Sequence, residues 1–186
     1  MKIIEDFIPQ VYQDEIDKVL LGDNFPWYMH KSTVSDAYAG NTNKNVVDSP
    51  QFVHIFNVNN EATSQYWPLL QPLGYFLMGQ VDVDTRHVLR VKANLNMQDA
   101  LFDTDKHFTP HIDCRDASKF ITAIYYVNDA DGDTLFFDKK QKVVERITPK
   151  KGTLVYFDGH DLHAGQAPSK SPYRCVINFN FLGAYK

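Results

Sequence analysis

The sequence predicts a mainly β protein with N-terminal helices, built as a jelly roll, and three observations predict it. From Val88 onward short alternating segments follow one another, at least six strands in about 95 residues. Turn signals such as Asp131-Gly132-Asp133 separate them. The helical patterns, by contrast, are gathered in the first half of the chain.

At 186 residues the chain reads as a single domain, 1–186, able to bury a substantial core without a disulfide or a structural metal. Within it, 1–85 supplies helices, strands and a lid, and 86–186 the jelly-roll core. A hydrophobic fraction of 44% and an aromatic fraction of 13% place it among globular chains. A net charge of −4 without a Lys/Arg run disfavours nucleic acid and anionic membranes as partners. Cys114 and Cys175, far apart, read as thiols of a reduced, cytoplasmic protein. Glu5 and Asp6 stand where a signal peptide needs its apolar core, and no apolar run nears the roughly 18 residues of a membrane span. The sequence carries no signal of an oligomeric state.

In chain order, residues 2–7 form a short opening strand. Residues 11–21 follow as a helix, with Val11, Ile16, Val19 and Leu20 at helical spacing and Gly22 just past the end. Residues 25–29 are aromatic extended chain broken by Pro26. Residues 31–50 are a polar loop, longer than compact domains usually keep and so a candidate lid. A strand follows over 52–58, then a helix over 61–80 with a kink expected at Pro68 or Pro72.

The second half opens with a strand, 88–97, whose alternation puts Arg90, Lys92, Asn94 and Asn96 on one face and Val91, Ala93, Leu95 and Met97 on the other. Residues 98–106 are acidic and aperiodic, a second candidate lid. Strands are then expected over 120–127, 134–137, 143–147, 153–157 and 174–182.

The chemistry gathers in Thr109-Pro110-His111-Ile112-Asp113. On an extended strand, His111 and Asp113 project from one face. A second imidazole brought alongside would complete a 2-His-1-carboxylate triad, whose open positions suit Fe(II) oxygen chemistry. Taken singly, His-x-Asp is common, and a His beside a carboxylate at a strand end is the plainer account. Two residues compete for the second imidazole in Gly159-His160-Asp161-Leu162-His163. His163 is favoured because it leads toward the final strand, whereas His160 sits in the turn.

Arg174 shares a face with Val176, Asn178 and Asn180. Inside a barrel such an Arg needs an anion, and a carboxylate suits its fork. A strand-edge Arg paired with exposed acids is the alternative. Thr122, Ile124 and Tyr126 share the facing side of their strand, so the Tyr126 hydroxyl could reach the same carboxylate. Tyr125 reads as core.

Together, His111-x-Asp113, the run Thr122-Ala-Ile-Tyr-Tyr-Val-Asn128, Gly132-Asp-Thr-Leu135, and His163 with Arg174 eleven residues on resemble the Fe(II)/2-oxoglutarate-dependent dioxygenases. The nearest branch is the prolyl-4-hydroxylase-like one, and the resemblance spans roughly residues 90–182. It implies a double-stranded β-helix, with Fe(II) held by His111, Asp113 and His163. It also implies that Arg174 binds the distal carboxylate of 2-oxoglutarate, with Tyr126 and Asn178 as polar contacts and Ile124 and Leu135 as apolar walls. The implied reaction consumes O2 and 2-oxoglutarate, releases succinate and CO2, and hydroxylates a C–H bond.

The chain departs from the family in Gly132-Asp133, where relatives often carry two glycines, and in Phe108, where many carry Tyr. Asp113 disfavours the halogenases, which need that position vacant. Asn180 disfavours the nucleic-acid demethylases, which carry a second Arg there, and Arg174-Cys175-Val176 lacks the Arg-x-Ser of the plant-type small-molecule oxidases.

The expected function is therefore hydroxylation of a peptide or protein side chain, proline leading, with the acidic 98–107 loop favouring a basic or neutral peptide. A free amino acid or other small-molecule substrate is the second reading. A non-catalytic metal-binding sensor module and a zinc hydrolase using His160 and His163 are the readings of other classes.

Overall fold

The structure is a computed structural model and describes residues 1–34, 44–80, 87–114 and 117–183. The middle of the expected 31–50 loop, residues 35–43, lies outside the described residues.

The elements run β1 (Lys2–Ile4), α1 (Gln10–Leu20), β2 (Tyr28–His30), β3 (Gln51–Val58), β4 (Glu61–Ala62), α2 (Trp67–Gln80) and β5 (His87–Met97). There follow β6 (Phe120–Tyr126), β7 (Thr134–Phe137), β8 (Val143–Ile147), β9 (Leu154–Asp158), β10 (His163–Gly165) and β11 (Tyr173–Leu182). An 8-stranded sheet has the order β1-β9-β6-β11-β5-β3-β2, with β4 beside β3, and a 3-stranded sheet has the order β10-β7-β8. These are the two leaves of the jelly roll. β2 and β3 come from the N-terminal half, so the large sheet is assembled from both halves of the chain.

Antiparallel pairing turns the sequence alternation into two chemically distinct faces. On β11 and β5 the partners are Arg174 with Asn96, Val176 with Asn94, Asn178 with Lys92, and Asn180 with Arg90. On the other side of β11 they are Val176 with Tyr126, Asn178 with Ile124 and Asn180 with Thr122. This polar face looks into the barrel. The intervening residues, among them Val91, Ala93, Cys175, Ile177, Phe179 and Phe181, form the main core with Ile16 and Leu20 of α1 and Leu70, Leu73 and Leu77 of α2. Fully burying each such side chain contributes roughly 1.5–3 kcal/mol. The helices therefore back the sheet, and the site lies on the far side from them.

A smaller cluster closes the barrel interior: Ile124, Tyr126, Phe136, Ile147, Val155, Phe157 and Val176. Phe136 of the small sheet meets Phe157 of the large one edge-on at 4.8 Å.

Several boundaries differ from expectation for local reasons. The strand expected over 2–7 stops at Ile4, because Glu5 and Asp6 turn, with Asp6 at φ 45. The helix expected over 61–80 starts at Trp67. Glu61 and Ala62 instead pair back on β3, and the Ser64 hydroxyl accepts from Tyr66 N at 3.1 Å in a turn that precedes the helix. Pro68 then falls in the first turn, where a missing N–H costs little, and Pro72 is carried inside the helix. Cys114 and Cys175 are not joined in a disulfide. Among the described residues no helix is long and apolar enough to cross a membrane.

Candidate active site

His111 lies just outside β10 and forms an antiparallel bridge with His163. His111 N donates to His163 O at 2.9 Å, and His163 N donates to His111 O at 3.2 Å. Directly opposed residues in such a pair project from the same side, and their ring centroids are 4.7 Å apart. Asp113, two residues on, joins them. Its Oδ1 stands 3.6 Å from His111 Nε2 and its Oδ2 3.9 Å from His163 Nε2. One donor atom from each of the three lies within 4.8 Å of the others.

The protonation states suit a cation. His163 Nδ1 bonds to Asp161 O and His111 Nδ1 to Thr109 O, each at 3.0 Å. Both Nδ1 atoms must therefore carry the proton, which leaves both Nε2 atoms as lone-pair donors. Burial, with His111 adding to it, pushes the His163 imidazole down to about 4, so it is neutral at neutral pH. Its Nε2 is buried with no hydrogen-bond partner. Burial pushes Asp113 up, but the neighbouring His111 ring, His163 and Arg90 outweigh it and hold the carboxyl well below its ordinary range. Two imidazoles and one carboxylate, converging with an orphaned buried nitrogen among them, fit a divalent transition metal.

Two residues outside the triad orient the carboxylate. Arg90 Nη2 donates to Asp113 Oδ1 at 3.2 Å, and Asn180 Nδ2 donates to Oδ2 at 3.0 Å. Neither role was read from the sequence, although alternation had already put both residues on the inward face. Lys92, the next inward residue after Arg90 on β5, is half-buried. Burial and Arg90 pull its amine down to about 8, still protonated at neutral pH.

Beyond the triad a narrow cavity of about 60 Å³ runs to Arg174. Arg174 is buried, donating through Nε to Gly132 O and through Nη2 to Thr134 Oγ1, both at 2.7 Å. Among the described residues no carboxylate lies within ion-pair distance of it. A buried guanidinium with only neutral acceptors leaves its charge to a ligand. Asn94 Oδ1, Asn96 Nδ2 and Asn178 Oδ1 are buried without partners, and all three residues line this cavity.

The remaining residues singled out in the sequence fall on both sides of the cavity wall. Ile124 and Asn178 line it. Tyr126 is fully buried behind it, its hydroxyl bonded to Thr134 Oγ1 at 2.8 Å, so Thr134 stands between it and the cavity. Leu135 faces away and packs with Phe137 and Ala164, because strand alternation turns Thr134 and Phe136 inward instead. Phe108 contributes an apolar wall. His160 is exposed, its Nδ1 3.1 Å from Asp158, and is not part of the triad.

The expected second lid is placed differently. No residue of 98–107 lines the cavity or the groove outside it. Asp99 N bonds to Pro168 O, and Gln166 Nε2 donates to Thr104 O and Lys106 O, which draws that loop onto the segment preceding β11. Residues 29–34, with Arg90, Lys92 and Ile112, line the groove of about 540 Å³ over the triad instead. A second groove of about 590 Å³ surrounds His54, whose ring nitrogens are taken by Pro26 O and Ser64 Oγ, leaving none for a ligand.

The family model of the 2OG-Fe(II) oxygenase superfamily matches residues 97–182. No curated protein matches the sequence. Among solved structures, an oxidoreductase of the 2OG-Fe(II) oxygenase family from Burkholderia pseudomallei is similar at TM-score 0.68 and 13% identity, over 98% of this chain and 86% of that one. A Pseudomonas putida prolyl-4-hydroxylase is similar at TM-score 0.58 and 13% identity, over 97% and 91%. The non-haem alpha-ketoglutarate-dependent epimerase SnoN from nogalamycin biosynthesis is similar at TM-score 0.58 and 10% identity, over 97% and 77%.

Proposed function

We propose, from the match of residues 97–182 to the family model of the 2OG-Fe(II) oxygenase superfamily and from the site the chain builds, that this protein is an Fe(II)- and 2-oxoglutarate-dependent hydroxylase. The observation that carries the reading is the convergence of three metal-ligand atoms around the partnerless Nε2 of His163. His111, Asp113 and His163 would hold the iron. Bound iron and 2-oxoglutarate supply the oxidation, in which O2 is consumed, the keto acid becomes succinate and CO2, and one oxygen atom enters a substrate C–H bond.

The chain's own residues do the rest. Arg174 receives the distal carboxylate of 2-oxoglutarate, and the Thr134 hydroxyl, already accepting from Arg174 and Tyr126, has its own hydrogen left to donate beside it. Asn96, paired with Arg174 in register, offers its unpartnered Nδ2 to the same end. Ile124 and Phe108 exclude water from the aliphatic middle. Arg90 and Asn180 keep the Asp113 carboxylate ionised and oriented toward the two imidazoles.

The substrate we propose is a peptidyl side chain, with proline first, following the likeness to a prolyl-4-hydroxylase. The likeness to an epimerase makes a small molecule the second candidate. Purified protein given Fe(II), 2-oxoglutarate and a peptide library tests both: a gain of one oxygen on one residue type supports the first. Fe(II)-dependent succinate release without oxidised peptide, and with an oxidised free amino acid, supports the second. No succinate under any condition would leave a metal-binding sensor module.

A further inference from the structure

The groove over the metal face is positive in a chain whose net charge is −4. Its lining carries Lys31, Arg90 and Lys92 against one carboxylate, Asp113, which the metal reading commits to the ion. Lys92 occupies the junction, lining both the groove and the inner cavity. No hydrogen bond or ion pair engages its amine among the described residues. Arg90 reaches Asp113 with Nη2 alone, and its Nε is buried without a partner. Arg174 already serves one anion at the far end of the cavity, two register steps along β11 from Asn178, the partner of Lys92. Among the described residues the carboxylate whose charge reaches Lys92 is Asp113, already bonded to Arg90 and Asn180, so the amine has no carboxylate of its own.

We propose that the groove receives its substrate through a carboxylate, which Lys92 binds beside the metal face and which Arg90 and Lys31 draw in by charge. This rests on the oxygenase reading of the triad and names the class of substrate it takes: an acid that presents its carboxylate near the reacting carbon. The carboxylate has two sources with the same chemistry, the α-carboxylate of a free amino acid or an Asp or Glu side chain next to the reacting residue of a peptide. In either case the groove selects against the basic peptides that the acidity of 98–107 suggested.

The test uses protein loaded with Zn(II) and N-oxalylglycine, an inert analogue of 2-oxoglutarate, and also metal-free protein. Acetate and its neutral isostere acetamide are titrated while the backbone amide signals of Ile55, Arg90 and Lys92 are followed by NMR. Acetate is expected to bind at these amides about tenfold more tightly than acetamide, as one charge-assisted hydrogen bond implies, with the preference lost in Lys92→Met and in Lys92→Gln. Equal binding of the two probes, no acetate binding, or a preference that survives both substitutions would overturn the proposal. Weakened N-oxalylglycine binding in Lys92→Met with acetate binding intact would also overturn it, assigning Lys92 to the co-substrate. If the wild-type protein fails to bind Zn(II) or N-oxalylglycine, the oxygenase reading fails, while acetate binding to the metal-free protein still decides this one.

Competition separates the sources. Displacement of acetate by free proline but not by prolinamide identifies an α-carboxylate. Displacement by a blocked Glu-Pro peptide but not by its Gln-Pro counterpart identifies a side chain, and displacement by neither removes substrate from the groove.

Discussion

Asn180 and Asp113 are joined by a hydrogen bond of 3.0 Å across 67 residues of chain, and the same amide nitrogen donates to Thr122 Oγ1, also at 3.0 Å. One carboxamide thus ties a proposed metal ligand to the wall of the large sheet. Replacing it by Leu keeps the bulk and removes the tie. Metal affinity is expected to fall on the order of 10–100-fold in Asn180→Leu while the fold is kept, as Co(II) titration and circular dichroism together would report.

His163→Ala is expected to abolish Co(II) and Fe(II) binding, because it removes the donor that β10 brings to His111 and Asp113. His160→Ala is expected to leave both unchanged. Equal damage from the two substitutions, with activity supported by Zn(II), would point to a hydrolase instead.

Arg174→Met removes the one guanidinium among the described residues that line the cavity, together with its bonds to Gly132 O and Thr134 Oγ1. The KM for 2-oxoglutarate is expected to rise on the order of 10–100-fold, about 1.5–3 kcal/mol, with a parallel loss of N-oxalylglycine affinity by calorimetry.

Gly132 lies where another backbone passes: a Cβ built on it would be 2.5 Å from Gln166 O and 2.9 Å from Pro168 N. Backbone of the 166–168 segment cannot yield as a side-chain tip would. Gly132→Ala is expected to cost about 1–3 kcal/mol, a fall in Tm of roughly 3–10 °C by calorimetry. It is also expected to raise the KM for 2-oxoglutarate, since Gly132 O holds Arg174.

Asp131 accepts from Ser169 N, Ser169 Oγ, Lys170 N and Ser171 N at distances between 2.7 and 3.0 Å. Slight burial pushes the carboxyl up, but these bonds outweigh it and hold it well below its usual range. The folded group therefore titrates below the unfolded one. Its contribution is complete above the unfolded value of about pH 4 and is lost as the pH falls from there. Asp131→Asn is expected to lower Tm by about 2–4 °C at pH 7, allowing for solvent exposure. The gap from wild type should be constant above about pH 5, begin to narrow below about pH 4 and close only as the pH falls through the depressed folded value; a gap that stays constant would remove the carboxylate from the account.

Much of this arrangement was legible in the residues, and the limits are physical. The inward row Arg90, Lys92, Asn94 and Asn96, and its partner row from Arg174 to Asn180, could be read because a strand alternates with period two. β10 could not, since His163-Ala164-Gly165 is too short to show a period. Tyr126 was assigned to the correct face, but a face says nothing of reach, and Thr134 intervenes. Leu135 was taken for a wall because it is the apolar residue of its strand, whereas the side its neighbours face decides where it points. The acidity of 98–107 gives no indication of where that loop lies, which is set by backbone bonds to Pro168 and Pro172 and by the Gln166 side chain, none of which composition encodes. The start of α2 is not legible, because apolar spacing does not register the Ser64 turn or the pairing of 61–62 with β3.

The reciprocal bridge between His111 and His163 makes the spacing of the two imidazoles a matter of strand register. A slip of one residue in β10 would send the His163 ring to the opposite surface and put Leu162 or Ala164 in its place. Deleting Leu162, or inserting one alanine before His163, should therefore silence iron binding in a molecule that still folds, even though every ligand remains in the sequence.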